Sequence, residues 1–202
     1  MDNFFNLRAE KQKHIIDAAL IAFGRNGYKK ASIADIAEEA GIAKGMVIYY
    51  FGSKKNLYLY LAEFCGKVIV EEMEKGFDKS VADFFDKLKM ITDIKIAVMK
   101  RYPAIISFLT AMYHETHKDV RDEVKQFLAN SVNIRGQWVF DGTDFAAFKD
   151  DVDPKLLERF LVWTGEGMAD NIPFGKMAEQ IDGYAKDYYD CLDMMKRHFY
   201  KD

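Results

Sequence analysis

Apolar residues recur along this chain at helical spacing, with few runs of strand-like alternation. Ile16, Ala19, Leu20 and Phe23 step i, i+3, i+4, i+7 and predict a first helix from about Ala9 to Gly24. Asn26-Gly27, residues that tolerate left-handed backbone, should end it. Ser32 then opens a second helix, with Asp35 three places on as a shortened capping box and Ile33, Ile36, Ala37 and Ala40 as its apolar stripe. Gly41 stands where a C-terminal cap needs positive φ. A third helix, Ala43 to Phe51, is short enough to depend on packing. Gly52-Ser53 breaks it, and Ser53 caps a fourth whose buried face is Leu57, Leu61, Phe64 and Val68. Further helices are expected near 79–101, 103–115, 118–138, 154–171 and 174–200. Pro103, Pro154 and Pro173 fall at or near helix starts, where a missing amide hydrogen does little harm. The stretch VFDGTDFAAFKDDVD (139–153) reads as a long loop with one short turn inside it. No repeats or low-complexity tracts interrupt the pattern.

The 202 residues, 50% of them hydrophobic, suffice for a sizeable core, and only three prolines interrupt them. The expected fold is therefore all-α. No apolar run reaches the length of a membrane span. The opening MDNFFNLRAEKQKH lacks the apolar centre and cleavage site of a secretory signal. Cys65 and Cys191 are too few for a disulfide framework and too distant in sequence for a metal pair. These features lead to the expectation of a cytoplasmic protein with reduced thiols. The net charge of −3 is unevenly spread. Residues 1–64 carry nine Lys+Arg against seven Asp+Glu, leaving 20 of the 29 basic and 25 of the 32 acidic residues for the remainder. Within 25–55, Arg25, Lys29, Lys30, Lys44, Lys54 and Lys55 face only Asp35, Glu38 and Glu39. Any phosphate-facing surface therefore belongs to the first quarter of the chain.

Two short helices joined by a glycine-containing turn form a helix-turn-helix arrangement, whose second helix enters the DNA major groove. At about 100° per residue the third helix puts Val47 and Phe51 on one face, against Ile36 and Ala40. Gly45 and Tyr49 lie opposite, flanked by Ile48 and Met46. Gly45 adds no bulk to that front. Tyr49, Tyr50, Lys54 and Lys55 offer hydroxyl and ammonium groups suited to phosphate oxygens, and are expected to stand exposed as a clamp on the sugar-phosphate backbone. A YYF run closing a short helix could equally be core filler.

The order of residues is more specific than these features alone. The segments IIDAALIAFGRNGY (15–28), SIADIAEEAGIAKG (32–45) and YYFGSKKNL (49–57) resemble the N-terminal domain of the TetR family of transcriptional regulators, over about a quarter of the chain. The resemblance implies that Lys44, Gly45 and Met46 approach bases, that Tyr50 and Lys54 contact phosphates, and that Ser32 and Ile33 touch the backbone. Met46 and Ile48 depart from the hydroxyl residue and tyrosine usual in the family. Neither can hydrogen-bond a base edge, though both could pack on a thymine methyl. The docking mode stays the same, while an operator cannot be borrowed from relatives.

The resemblance further implies a three-helix DNA-binding domain (1–52) followed by a helical effector-binding and dimerisation domain (53–202), joined by a helix over about 53–75. The last two helices carry long apolar stripes: Leu157, Phe160, Leu161, Thr164 and Met168, then Ile181, Tyr184, Tyr188, Cys191, Leu192, Met195 and Phe199. These could fill the molecule's own core or, as the family implies, build an intersubunit four-helix bundle, with Gly165 and Gly167 permitting close approach. A twofold dimer would then set two recognition helices roughly 34 Å apart on a palindromic operator. Met90, Met99, Phe127 and above all Phe108, Met112, Tyr113, Trp138 and Trp163 could line a cavity for a small hydrophobic effector, though each could also be core.

Enzymatic signatures are weak. His114-Glu115-Thr116-His117 lacks the H-E-x-x-H spacing and a third ligand. Asp141-Gly142-Thr143-Asp144 fails the calcium-loop pattern and reads as a surface turn. No nucleophile elbow or phosphate-binding glycine loop occurs. The expected function is a ligand-responsive, homodimeric DNA-binding repressor, without cofactor, metal or catalytic activity. The alternative is a helical small-molecule-binding or scaffold protein that does not bind DNA.

Overall fold

The computed structural model describes residues 1–170 and 176–201, and all elements named below are within them. Their order is α1 (Asp2–Phe5), α2 (Ala9–Lys30), α3 (Ile33–Glu39), α4 (Lys44–Phe51), α5 (Lys54–Gly76), α6 (Phe84–Arg101), α7 (Pro103–Tyr113), α8 (Arg121–Phe140), a 3-10 turn (Phe145–Ala147), α9 (Pro154–Asp170) and α10 (Met177–Phe199). An antiparallel bridge between Phe148 and Tyr200 is the one β-type pairing among the described residues. The all-α expectation holds. Pro173, expected near a helix start, lies outside the described residues, as does the side chain of Met168.

The chain divides into two compact units. The first comprises Met1–Ile69 and Tyr102–Ser131, the second Val70–Arg101 and Val132–Asp202. This differs from the expected single cut after residue 52, because α7 and the first half of α8 complete the core of the N-terminal helices. Three short helices expose too much surface to hold a core alone. α2 and α7 make the most extensive helix pairing of the chain. Their approach is close at Gly24, where an added Cβ would come within 2.9 Å of the Ser107 backbone. Around that crossing Phe23, Tyr58 and Phe108 pack edge to face with centroids 5.0–6.4 Å apart.

Two features of this unit were not expected. The first helix does not stop at Gly24 but continues to Lys30 across a kink at Gly27, whose φ of 66° and ψ of 175° leave the helical region. The Glu115 carboxylate, at the end of α7, accepts the Tyr28 amide hydrogen that this kink strands, at 2.8 Å. The same carboxylate accepts from the amides of Thr116 and His117. The HETH stretch is thus a structural staple. Among the described residues no cluster of three His, Cys, Asp or Glu could hold a metal. The second feature is α1: Phe4 is fully buried, with its ring 4.8 Å from Phe51 and 5.7 Å from Tyr60.

In the second unit the C-terminus is tied back to the loop after α8. Lys149 donates its amide hydrogen to Phe199, and Lys201 donates to Ala147. Phe84, Phe85, Phe148 and Tyr200 form its aromatic core. Ion pairs run along α6 and α10: Lys196 with Asp83 and Asp86, Lys89 with Asp193, Lys100 with Asp182. The 139–153 loop, as expected, contains one short turn, with Asp144 accepting from the Ala146 amide. No helix among the described residues is long and apolar enough to cross a membrane.

Candidate nucleic-acid interface and ligand cavity

α3 begins as the sequence implies. The Ser32 hydroxyl oxygen accepts the Asp35 amide hydrogen at 3.1 Å, and Ile33, Ile36 and Ala37 are buried. Gly41 takes φ 64°, and the Ile42 amide returns to the Ala37 carbonyl at 2.9 Å, closing the turn between the two helices. α4 then runs for eight residues with Ala43 at its N-cap and Gly52, φ 76°, after its last turn. Its rear is Val47, Tyr50 and Phe51, all buried. Its front is Lys44, Gly45, Ile48 and Tyr49, all exposed, with Tyr49 the most open at 60%. Met46 sits half-buried at the flank.

Tyr50 is the clearest correction. It is only 4% exposed, its ring meeting Phe4 edge to face at 6.1 Å. Three residues after Val47 it lies about 60° from that buried position around the helix, and α1 covers the flank. Ile33 is likewise buried, so only its backbone could meet a partner. The two lysines expected to complete a phosphate clamp are already engaged. The Lys54 ammonium donates to the carbonyls of Lys29 and Ala31 at 3.4 and 3.0 Å, and lies 4.5 Å from the centre of the Tyr28 ring. It ties the end of α2 to the start of α5. Lys55 pairs with Glu123 at 2.6 Å, and this bond holds the Glu123 carboxyl below the usual carboxylate range. Ser32 is half-buried and keeps its own hydroxyl proton free to donate. Lys29 and Lys30, counted in the basic stretch but not among the expected contacts, are exposed two or three residues before Ser32.

The residues expected to line a cavity do not converge. Phe108 and Met112 belong to the core of the first unit, and Tyr113 is exposed. In the second unit Trp138 packs edge to face on Phe77 with Lys79 over its ring, and Trp163 is 61% exposed. A cavity of about 270 Å³ does exist in the second unit, between α6, α8, α9 and α10; none of these five lines it, whereas Met99, also named as a possible lining residue, does. Its wall is mostly aliphatic, with Leu88, Ile91, Ile181 and Tyr184 prominent. The apolar stripes of the last two helices prove to have two sides. Leu157, Leu161 and Leu192 fill the unit's own core, and Ile181, Tyr184 and Tyr188 face the cavity. Exposed instead are Leu156, Phe160 and Trp163 on α9, and Cys191 and Met194 on α10. Cys65 is buried, and burial pushes its thiol up to about 12, leaving it inert.

Residues 15–61 match the model of the bacterial regulatory proteins of the tetR family. A fatty acid metabolism regulator protein of Bacillus subtilis is 23% identical over 154 residues, covering 76% of this chain and 79% of that protein. The transcriptional repressor KstR2 of Rhodococcus jostii is 24% identical over 169 residues, 76% of each chain. Among solved structures, a TetR family regulator from Chloroflexus aurantiacus superposes with a TM-score of 0.78 at 21% identity, over 100% of this chain and 99% of that one. FadR of Bacillus subtilis, solved in complex with stearoyl-CoA, superposes with a TM-score of 0.64 at 20% identity, over 92% and 95%. The helix-turn-helix of α3 and α4 thus lies within a segment that matches the tetR family of bacterial regulatory proteins, and the chain as a whole shares its helical fold with TetR family transcriptional regulators.

Proposed function

We propose that the chain is a repressor that binds a palindromic operator as a homodimer and is released by a small, largely apolar effector. The observation that carries the DNA-binding part is the front of α4. Lys44, Gly45, Ile48 and Tyr49 are exposed, while Val47, Tyr50 and Phe51 anchor the helix from behind. Gly45 is informative because nothing lies within 4 Å of where its Cβ would be. It is not required by internal packing, and glycine in a helix costs about 1 kcal/mol relative to alanine. Its smallness serves a surface that comes from outside. Lys44 would donate to guanine O6 or N7, Ile48 would pack on a thymine methyl, and the Tyr49 hydroxyl, Ser32, Lys29 and Lys30 would meet phosphates.

The effector is assigned to the cavity among α6, α8, α9 and α10. Two relatives support an apolar ligand by their names and contents, one regulating fatty acid metabolism and one holding stearoyl-CoA. The chain passes from α6, which lines the cavity, through Tyr102 into α7, which packs on α2. A coupling of about 1–3 kcal/mol along that continuity would change operator affinity by roughly 5- to 150-fold.

Selection of duplexes from a randomised library by the purified protein tests the reading. Retention should fall steeply as salt rises. The selected duplex should be lost by the double variant Lys44→Ala/Tyr49→Ala with unchanged thermal melting. A protein that enriches no duplex and shows no salt-dependent binding is the helical ligand-binding or scaffold protein that the sequence left as the alternative.

A further inference from the structure

Tyr28 to Ser32, the residues that lead from α2 into α3, carry Lys29, Lys30 and Ser32, three of the groups assigned to phosphates. Their backbone is held from two sides. The kink at Gly27 turns the Tyr28 amide out of the helical ladder, and the Glu115 carboxylate, just past the end of α7, accepts its hydrogen at 2.8 Å. The other oxygen of that carboxylate accepts from the Thr116 and His117 amides at 3.0 and 2.8 Å, which fixes its direction. Lys54, at the start of α5, donates to the Lys29 and Ala31 carbonyls at 3.4 and 3.0 Å. Between these two grips the Tyr28 ring is buried, 5.2 Å from Tyr58 and 5.1 Å from His117, with the Lys54 ammonium 4.5 Å from its centre. Lys29 and Lys30 stay exposed. Backbone polar groups of the segment are thus engaged inward, while its two ammonium groups are left outside.

The Glu115 carboxylate has the wrong sign for this neighbourhood. A negative charge so near a phosphate-facing segment repels a duplex, so long-range electrostatics alone favours its removal. What it supplies is an acceptor for the amide that the kink leaves without a helical partner, and a shielded amide without an acceptor is costly.

We infer that Glu115 and Lys54 are positioning residues for DNA binding. They touch no phosphate themselves; they fix the path of Tyr28 to Ser32, so that Lys29, Lys30 and the Ser32 hydroxyl reach the sugar-phosphate backbone together. This rests on the DNA-binding reading above and adds to it two residues outside the helix-turn-helix.

Salt-series titrations of the full-length protein with the selected duplex test this. Each phosphate contact contributes about 0.9 to the slope of log affinity against log salt, so Lys29→Ala/Lys30→Ala should make that slope shallower by about 1.8. Glu115→Ala should act in the same direction, by about 1 to 2, and weaken retention at low salt by about tenfold, although it removes a negative charge. A smaller folded fraction would instead lower affinity by one factor at every salt concentration. In the Lys29→Ala/Lys30→Ala background Glu115→Ala should change affinity by less than about threefold, since only the Ser32 contact is left to misplace. Lys54→Met releases the same segment from the carbonyl side and must show the same pattern, which keeps the test valid should the Glu115 variant fold poorly. A Lys54 effect that persists in full in that background would mark Lys54 as a phosphate contact and overturn its role here. Tighter binding by Glu115→Ala, an unchanged slope, or full additivity with the lysine pair would defeat the inference and leave the DNA-binding reading standing. A protein that selects no duplex removes both.

Discussion

At the scale of single residues, side chains near α4 sort by whether the chain itself uses them. Lys54 and Lys55 have the chemistry of phosphate contacts, yet their partners are the Lys29 and Ala31 carbonyls and Glu123, 23 to 68 positions away in sequence. No local pattern could reveal partners at that separation, so an expectation drawn from side-chain chemistry and, for Lys54, from the family resemblance assigned both to DNA. Gly45 is the opposite case, since helical winding placed it on the front and the structure leaves the space before it open. Replacement of Gly45 by alanine therefore separates two effects. Alanine should stabilise α4 by about 0.5–1 kcal/mol and raise the melting temperature by roughly 2 °C for a chain of this size. The same methyl should hold the helix away from the base edges and weaken retention of the selected duplex by about tenfold or more. Melting curves and salt-matched anisotropy titrations read the two signs independently. A stabilised variant that binds normally would mean the front of α4 does not approach a duplex closely.

At the scale of elements, helix positions with strong local signals were legible. Ser32 is a cap acceptor and Gly41 and Gly52 are turn glycines, and each acts where its chemistry requires. α1 was not legible, because four residues are shorter than any window in which helical periodicity can be recognised. Its importance comes from Phe4, which is fully buried against Tyr50, Phe51 and Tyr60. That contact also explains why Tyr50 turns inward. Phe4→Ala should cost about 3–5 kcal/mol and lower the melting temperature well beyond any change at an exposed position. It should also release Tyr50, so that amide exchange speeds up in α4 more than in α7. If α4 and α7 lose protection equally, or if the cost is under about 1 kcal/mol, then α1 does not support the recognition helix. The stripes of α9 and α10 show a second limit of one-dimensional reading. Periodicity marks which residues share a face, but it does not distinguish core, cavity and partner. Ile181, Tyr184 and Tyr188, grouped with a dimer stripe, line the cavity instead. Of the five aromatic and methionine residues expected at a cavity, Phe108 and Met112 are in the first unit's core, Trp138 is half-buried and Tyr113 and Trp163 are exposed.

At the scale of the whole molecule, the outward faces of α9 and α10 carry the remaining question of assembly. Leu156, Phe160 and Trp163 recur at i, i+4, i+7, so they form one exposed stripe rather than scattered apolar positions. Cys191 and Met194 are exposed on α10. Large aromatic side chains dominate interface energetics, and a standard interface buries about 800 Å² on each partner. The proposed dimer forms when these two faces meet their symmetry copies, each stripe packing against the equivalent helices of the second chain. Phe160→Glu/Trp163→Glu would place carboxylates in that seam without touching Leu157 or Leu161, which hold the unit's own core. Sedimentation should then show the wild-type chain at twice its 23.3 kDa and the variant at 23.3 kDa. Because a monomer engages one half-site, loss of the linked second contact should lower affinity for the selected duplex by about 10²- to 10⁴-fold. Binding to a single half-site should be unchanged, since α4 and its supports lie in the other unit. Wild-type protein that sediments at the mass of one chain while still selecting a palindrome would place the seam elsewhere. Equal loss of half-site and full-site binding in the variant would point to misfolding, which far-ultraviolet dichroism checks directly.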